Sequence, residues 1–166
     1  MNISTTTPHS LLLRHWRKQR GVVAIEFALV FLFGMVPLVL FTLSGVLIFA
    51  AKQSLTLAAA NGARAALHYG TDAQRQSYAC QAAQQSMQWL ITFSGETPDC
   101  SSAPITVSAP AACASGAPTS VQCITVTTSF DYDDHPFLPG TKTVYGWVIG
   151  QPLSSTATIQ IDTSGG

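Results

Sequence analysis

Residues Arg20-Gly21-Val22-Val23-Ala24-Ile25-Glu26-Phe27-Ala28-Leu29-Val30 place a single carboxylate, Glu26, inside an otherwise apolar run. From Phe27 to Ala51 no charged residue follows. At about 1.5 Å per residue, a helix of that length exceeds the roughly 30 Å hydrocarbon core of a bilayer. An ionised carboxylate close to that core costs on the order of 2–3 kcal/mol without compensation, so a partner is implied. A cut after Gly21 would supply one. Val22 would then carry an α-ammonium group, and Glu26, four residues on, lies one helical turn away on the same face. In a bundle of helices offset along a common axis, the carboxylate of one chain would instead meet the ammonium of the next. The buried charge would then set axial register.

Four features carry a resemblance over residues 20–68: the basic residues before Gly21, the Gly21-to-Glu26 spacing, the Glu-Phe-Ala-Leu-Val string, and Asn61-Gly62-Ala63-Arg64-Ala65-Ala66. This segment resembles the N-terminal module of TadE-like minor pilins, members of the type IV filament superfamily. The resemblance implies that a prepilin peptidase cuts between Gly21 and Val22, and that Glu26 is the assembly residue. The partners it implies are that peptidase, other pilins and pilus assembly platform proteins. The chain departs from the family pattern at Leu32, where a proline is often found; its proline comes later, at Pro37. A membrane-embedded Glu also serves elsewhere as a proton relay or a paired structural charge, and an apolar run as a signal anchor. Neither requires Gly21 and Glu26 at these positions. A secretory signal fits poorly, because its apolar segment is about 7–15 residues long and ends at a small-residue site. Here the first such site, Ala58-Ala59-Ala60, lies beyond Lys52.

Formal net charge is zero, but it is unevenly spread. Arg14, Arg17, Lys18 and Arg20 precede Gly21, leaving Lys52, Arg64, Arg75 and Lys142 against all eight acids, a net of −4. The positive-inside rule holds residues 1–21 in the cytoplasm and sends the chain after Lys52 across the inner membrane into the periplasm, a single-pass arrangement. The resemblance adds an extracellular pilus as a further location. With no basic patch on the exported part, nucleic acid is not an expected partner. The domain reading is a cleaved basic leader at 1–21, a transmembrane part of a long helix at 22–51, an exported part at 52–70, and an exported domain at 71–166.

The helix is expected to continue to about His68, with Leu55, Ala59, Gly62 and Ala66 forming a stripe of small residues that permits close packing. Both the chain's own domain and neighbouring subunits are candidates to cover it. Gly70 is the expected stop. A second helix reads from Asp72 to Ile91, opened by a capping box at Thr71-Asp72-Ala73-Gln74, with Cys80, Ala83, Met87 and Leu90 on one face and Gly95 as terminator. Residues 94–120, rich in Ser, Pro, Ala and Gly, read as loop apart from the strand Ile105-Thr106-Val107.

Cys80, Cys100, Cys113 and Cys123 all lie on the exported side, where an even number of thiols favours two disulfides. Three connectivities exist. Neighbour pairing, Cys80 with Cys100 and Cys113 with Cys123, is favoured because each bridge closes a short loop-rich segment. No Cys-x2-Cys pair is present to form a zinc site.

Ile124–Phe130 and Thr156–Ile161 alternate with period two, as half-buried strands do. The expected class is therefore α+β: a long N-terminal helix, a second helix and an antiparallel sheet of three or so strands, tied by disulfides. Between the strands, Pro136-Phe137-Leu138-Pro139-Gly140 and Tyr145-Gly146-Trp147-Val148-Ile149 form an apolar connection that either rests at the lipid interface or is buried. Asp131-Tyr132-Asp133-Asp134-His135 gathers potential ligands but lacks the rest of an EF-hand loop, and reads as a solvated turn. No nucleophile elbow, phosphate loop or His-Glu-x-x-His motif occurs, so no enzyme and no cofactor or metal is expected. The function this supports is a minor pilin-like subunit of a Tad-type adherence and secretion pilus. The alternatives are an uncleaved inner-membrane scaffold and a membrane-anchored adhesin.

Overall fold

A computed structural model describes residues 13–113, 121–142, 146–147 and 150–162. The chain divides into two compact units, Met1–Leu43 and Ser44–Gly166. The first holds helix α1, Leu13–Val30, a π-helical turn, Phe31–Met35, and the start of α2, Val36–Ala65. In the π turn the Val36 N–H donates to the Phe31 carbonyl, one residue further back than an α-helix allows. Pro37 explains why the helix widens here: its ring excludes the carbonyl four residues earlier and it has no N–H to offer. The large side chains of this unit are turned outward, among them Phe27, Phe33, Leu38 and Phe41.

The second unit is α+β. α3 spans Asp72–Ser86 and α4 Gln88–Ser94, followed by β1 (Ile105–Val107), β2 (Ala111–Ala112), β3 (Val121–Phe130) and β4 (Leu153–Asp162). β3 is the hub of a four-stranded antiparallel sheet, with β1 and β2 along one side and β4 along the other. β4 pairs with it from Val121↔Asp162 to Phe130↔Leu153. Period two decides the faces. Ile124, Val126, Thr128 and Phe130 point to the core, while Thr125 and Thr127 hydrogen-bond Thr158 and Thr156 on the other face. Leu55, Met87, Leu90, Ile105, Ile124 and Val126 are fully buried, each worth about 1.5–3 kcal/mol in removed apolar surface.

α2 crosses the core face of the sheet. The Thr128 hydroxyl donates to the Leu55 carbonyl at 2.9 Å, and Val126 packs against Gly62. A Cβ at Gly62 would stand 3.0 Å from the Ala79 carbonyl oxygen and 3.2 Å from the Ala83 Cβ, so the absent side chain is what lets α2 and α3 touch. The helix tightens at its end, with Leu67 and His68 donating to Arg64 and Ala65.

The second helix is interrupted, against the expectation of one helix from 72 to 91. It opens with the Thr71–Gln74 capping box and closes on left-handed Gly95, but breaks at Met87. Ser86 is the cause. Its carbonyl accepts from the Ser54 hydroxyl, its own hydroxyl accepts from the Asn61 amide, and Leu90 donates to Met87 instead of to Ser86. The α2 polar side chains thus capture a carbonyl the helix would otherwise use. The two-residue strand β2 lies in the stretch read as loop.

Candidate assembly site on the amino-terminal helix

Gly21, Val22 and Glu26 lie within α1, whose backbone passes through Gly21 without a break. Among the described residues, nothing outside its own helix backbone and chain neighbours comes within 4 Å of a Cβ built at Gly21. Val22 and Ile25 are each 64 % exposed, and Phe27, the residue after Glu26, is 72 % exposed. Glu26 is also exposed and belongs to no ion pair among the described residues. Helical spacing brings Val22 and Glu26 onto one face, one turn apart. The structure thus places Gly21, a carboxylate and a collar of exposed apolar side chains on one helix. Such a surface can bury itself only against lipid or another apolar helix.

The cysteines belong to the second unit. Cys80 pairs with Cys100 and Cys113 with Cys123, at Cα separations of 5.8 and 5.0 Å. The first bridge ties α3 to the turn before β1. There Asp99 caps its own loop, accepting from the N–H groups of Ser101 and Ser102, and these bonds, led by that from Ser101, lower its carboxyl pKa to about 2. A cleft of about 580 Å³ lies beside the bridge, lined by Ser77, Cys80, Gln84, Asp99 and Val107. It brings together neutral amides, hydroxyls and one carboxylate, and no base–nucleophile pair.

The acidic run forms a turn in which the Asp131 carboxylate accepts the N–H groups of Asp133 and Asp134, and Lys142 stands 3.9 Å from Asp134. No group of three His, Cys, Asp or Glu side chains converges among the described residues. The small-residue stripe is spent inside the unit, since Leu55, Ala59 and Ala66 are fully buried and Gly62 is enclosed. His68, near the end of the long helix, meets the ring of Tyr78 edge-on at 5.6 Å. The apolar connection divides. Phe137 stacks on Phe130 at 5.4 Å and joins the core, whereas Trp147 is 91 % exposed; Tyr145, Val148 and Ile149 lie outside the described residues.

Residues 21–64 match the family model described as TadE-like protein. The matched segment begins at Gly21 and ends within α2, so it takes in the whole candidate site. No curated protein and no solved structure matches the chain. Among the described residues there is one helix long and apolar enough to cross a membrane, Gly21–Ala65.

Proposed function

We propose that this chain is a minor pilin-like subunit of a Tad-type pilus, held in the inner membrane by its long helix, cut after Gly21 by a prepilin peptidase, and recruited into assembly through Glu26. One coincidence carries the reading: the TadE-like match starts at Gly21, and from there the helix exposes its apolar side chains with Glu26 among them. Cleavage creates the Val22 ammonium that a carboxylate one turn away on a neighbouring chain would pair with. In a low-dielectric bundle that pairing fixes how far each helix slides past the next. The exported α+β domain, too large to be only a spacer, would contact other pilins or prime the filament.

Coexpression with the cognate peptidase is expected to give a protein whose mass begins at Val22. Gly21→Leu is expected to block processing. Glu26→Ala is expected to be inserted and processed but to lose incorporation into sheared pili, since removing the charge eases insertion while deleting the register contact. An intact precursor beside an active peptidase points to the uncleaved scaffold instead.

A further inference from the structure

The outward side of α3 and α4 carries glutamine where a solvent-facing helix ordinarily carries charge. Between Arg75 and Glu96 the chain has no charged residue, and Gln76, Gln81, Gln84, Gln85 and Gln88 all fall in that span. They line hollows in the surface. The cleft of about 580 Å³ beside the Cys80–Cys100 bridge takes in Gln76, Gln81 and Gln84, and a second, of about 250 Å³, takes in Gln84, Gln85 and Gln88 with Ile91 and Pro98. Gln84 is common to both, so the two clefts adjoin at its side chain.

The facing wall is the loop from Pro98 to Ser101, and it is fixed in place within the chain. The disulfide ties it to α3, while the Gln84 Nε2 group donates to the Pro98 carbonyl at 3.2 Å and to the Cys80 sulfur at 3.3 Å. A ligand entering a site already held open pays less ordering entropy. Hydrogen-bonding capacity remains on both walls. The side chains of Gln76, Gln85 and Gln88 make no hydrogen bond among the described residues, and the Gln84 Oε1 atom accepts none. On the loop, the hydrogen bonds to the Asp99 carboxylate all fall on Oδ1, which leaves Oδ2 to accept from a ligand.

The larger cleft falls within the range of about 300–1,000 Å³ common to small-molecule sites, but its lining is polar where theirs is mostly apolar. An apolar ligand is therefore disfavoured. A phosphate or carboxylate would find no cation among the lining residues and would meet the Asp99 charge. An amine would find a single carboxylate and no aromatic wall. An extended peptide gains most of its affinity from the open edge of a strand, whereas the glutamines stand on helices whose backbone is bonded to itself. Sugar hydroxyl and acetamido groups donate and accept at once, as glutamine amides do.

We infer that the two clefts form one groove for a short uncharged oligosaccharide bearing N-acetyl groups, held by glutamine amides on α3 and α4 and by the Asp99 carboxylate on the loop. This binding is independent of how the amino-terminal helix assembles.

The test is isothermal titration of the full chain, in a sugar-free zwitterionic detergent, with tetra-N-acetylchitotetraose. Saturable binding is expected, and oligogalacturonate, its anionic counterpart, is expected not to bind. Gln76→Ala and Gln85→Ala, one in each cleft, are each expected to weaken binding by about threefold to tenfold. Neither side chain bonds within the chain, so its loss does not strain the fold. Gln53→Ala removes an exposed α2 glutamine outside both clefts and is expected to bind like the parent. The groove is overturned by the absence of binding to the tetrasaccharide, or by binding that both cleft variants leave unchanged. A Gly-Ser peptide that binds as tightly as the tetrasaccharide overturns the saccharide assignment.

Discussion

The two halves of the long helix are both apolar and have opposite fates. Residues 21–43 use Phe, Leu, Val and Met, and those large side chains stand outward. Residues 51–66 use Ala, Gly and a single inward Leu, and that face is sealed under α3 and the sheet. Hydropathy alone does not separate them; side-chain size does. Small residues allow another backbone to approach, whereas large ones left bare require a partner from outside the chain.

Glycine substitutions break the comparison most sharply. Gly62→Leu would drive a side chain into the Ala79 carbonyl oxygen, which cannot yield, and is expected to destabilise the second unit by about 3 kcal/mol or more. Gly34→Leu meets nothing within 4 Å and is expected to leave the unfolding of that unit unchanged. Thermal denaturation of detergent-solubilised protein, followed by protease resistance, compares them directly. Equal losses would erase the distinction between the two halves.

Next in size are the bridges. Replacing Cys80 and Cys100 together by Ala is expected to cost about 3 kcal/mol, and the Cys113–Cys123 pair slightly less because its loop is shorter. Retention in membranes is expected not to change, since the apolar half of the helix is untouched. Non-reducing peptide mapping checks the pairing, and urea titration the stability.

Ser54→Ala sharpens the account of the broken helix. It leaves the Ser86 carbonyl and the Trp89 N–H without their shared partner and is expected to cost about 1–2 kcal/mol. Amide exchange at Leu90 should change, since it donates to Met87, three residues back, where an unbroken helix would have it donate to Ser86.

The smallest expected effect is that of Asp99. Its folded pKa, about 2, lies below the ordinary value of 3.8, so its contribution is present above pH 4 and disappears as pH falls through the folded value. Asp99→Asn is expected to flatten the acid limb of the stability curve slightly. A steepened limb would contradict the loop-capping role.

How much of this could be read from the sequence depends on the distance over which each feature is decided. The capping box at Thr71–Gln74, the stop at Gly95 and the alternation of β3 and β4 are local, and were legible. Gly21 and Glu26 stand out by position alone, and the matched family segment begins at Gly21. The break at Met87 was not legible, since it depends on Ser54 and Asn61, far away in the chain and on another helix. Nor was β2, where Ala111 and Ala112 have weak strand preference and pair only because Cys123 and Gln122 lie opposite. The covering of the small-residue stripe was left open between the chain's own domain and its neighbours. The structure assigns it to the domain, because α3 and β3 reach it.

Every ladder among the described residues has β3 as a member, and its longest partner, β4, follows it by more than twenty residues along the chain. A chain emerging N-terminus first can therefore close both disulfides while one whole flank of β3 is still bare. That flank is an open row of amides and carbonyls beside Ile124 and Val126, and any other extended polypeptide could pair with it. Premature termination before Leu153 would release an adhesive intermediate, not a smaller working domain. A quality-control protease that recognises unpaired strands would have a clear substrate until β4 arrives.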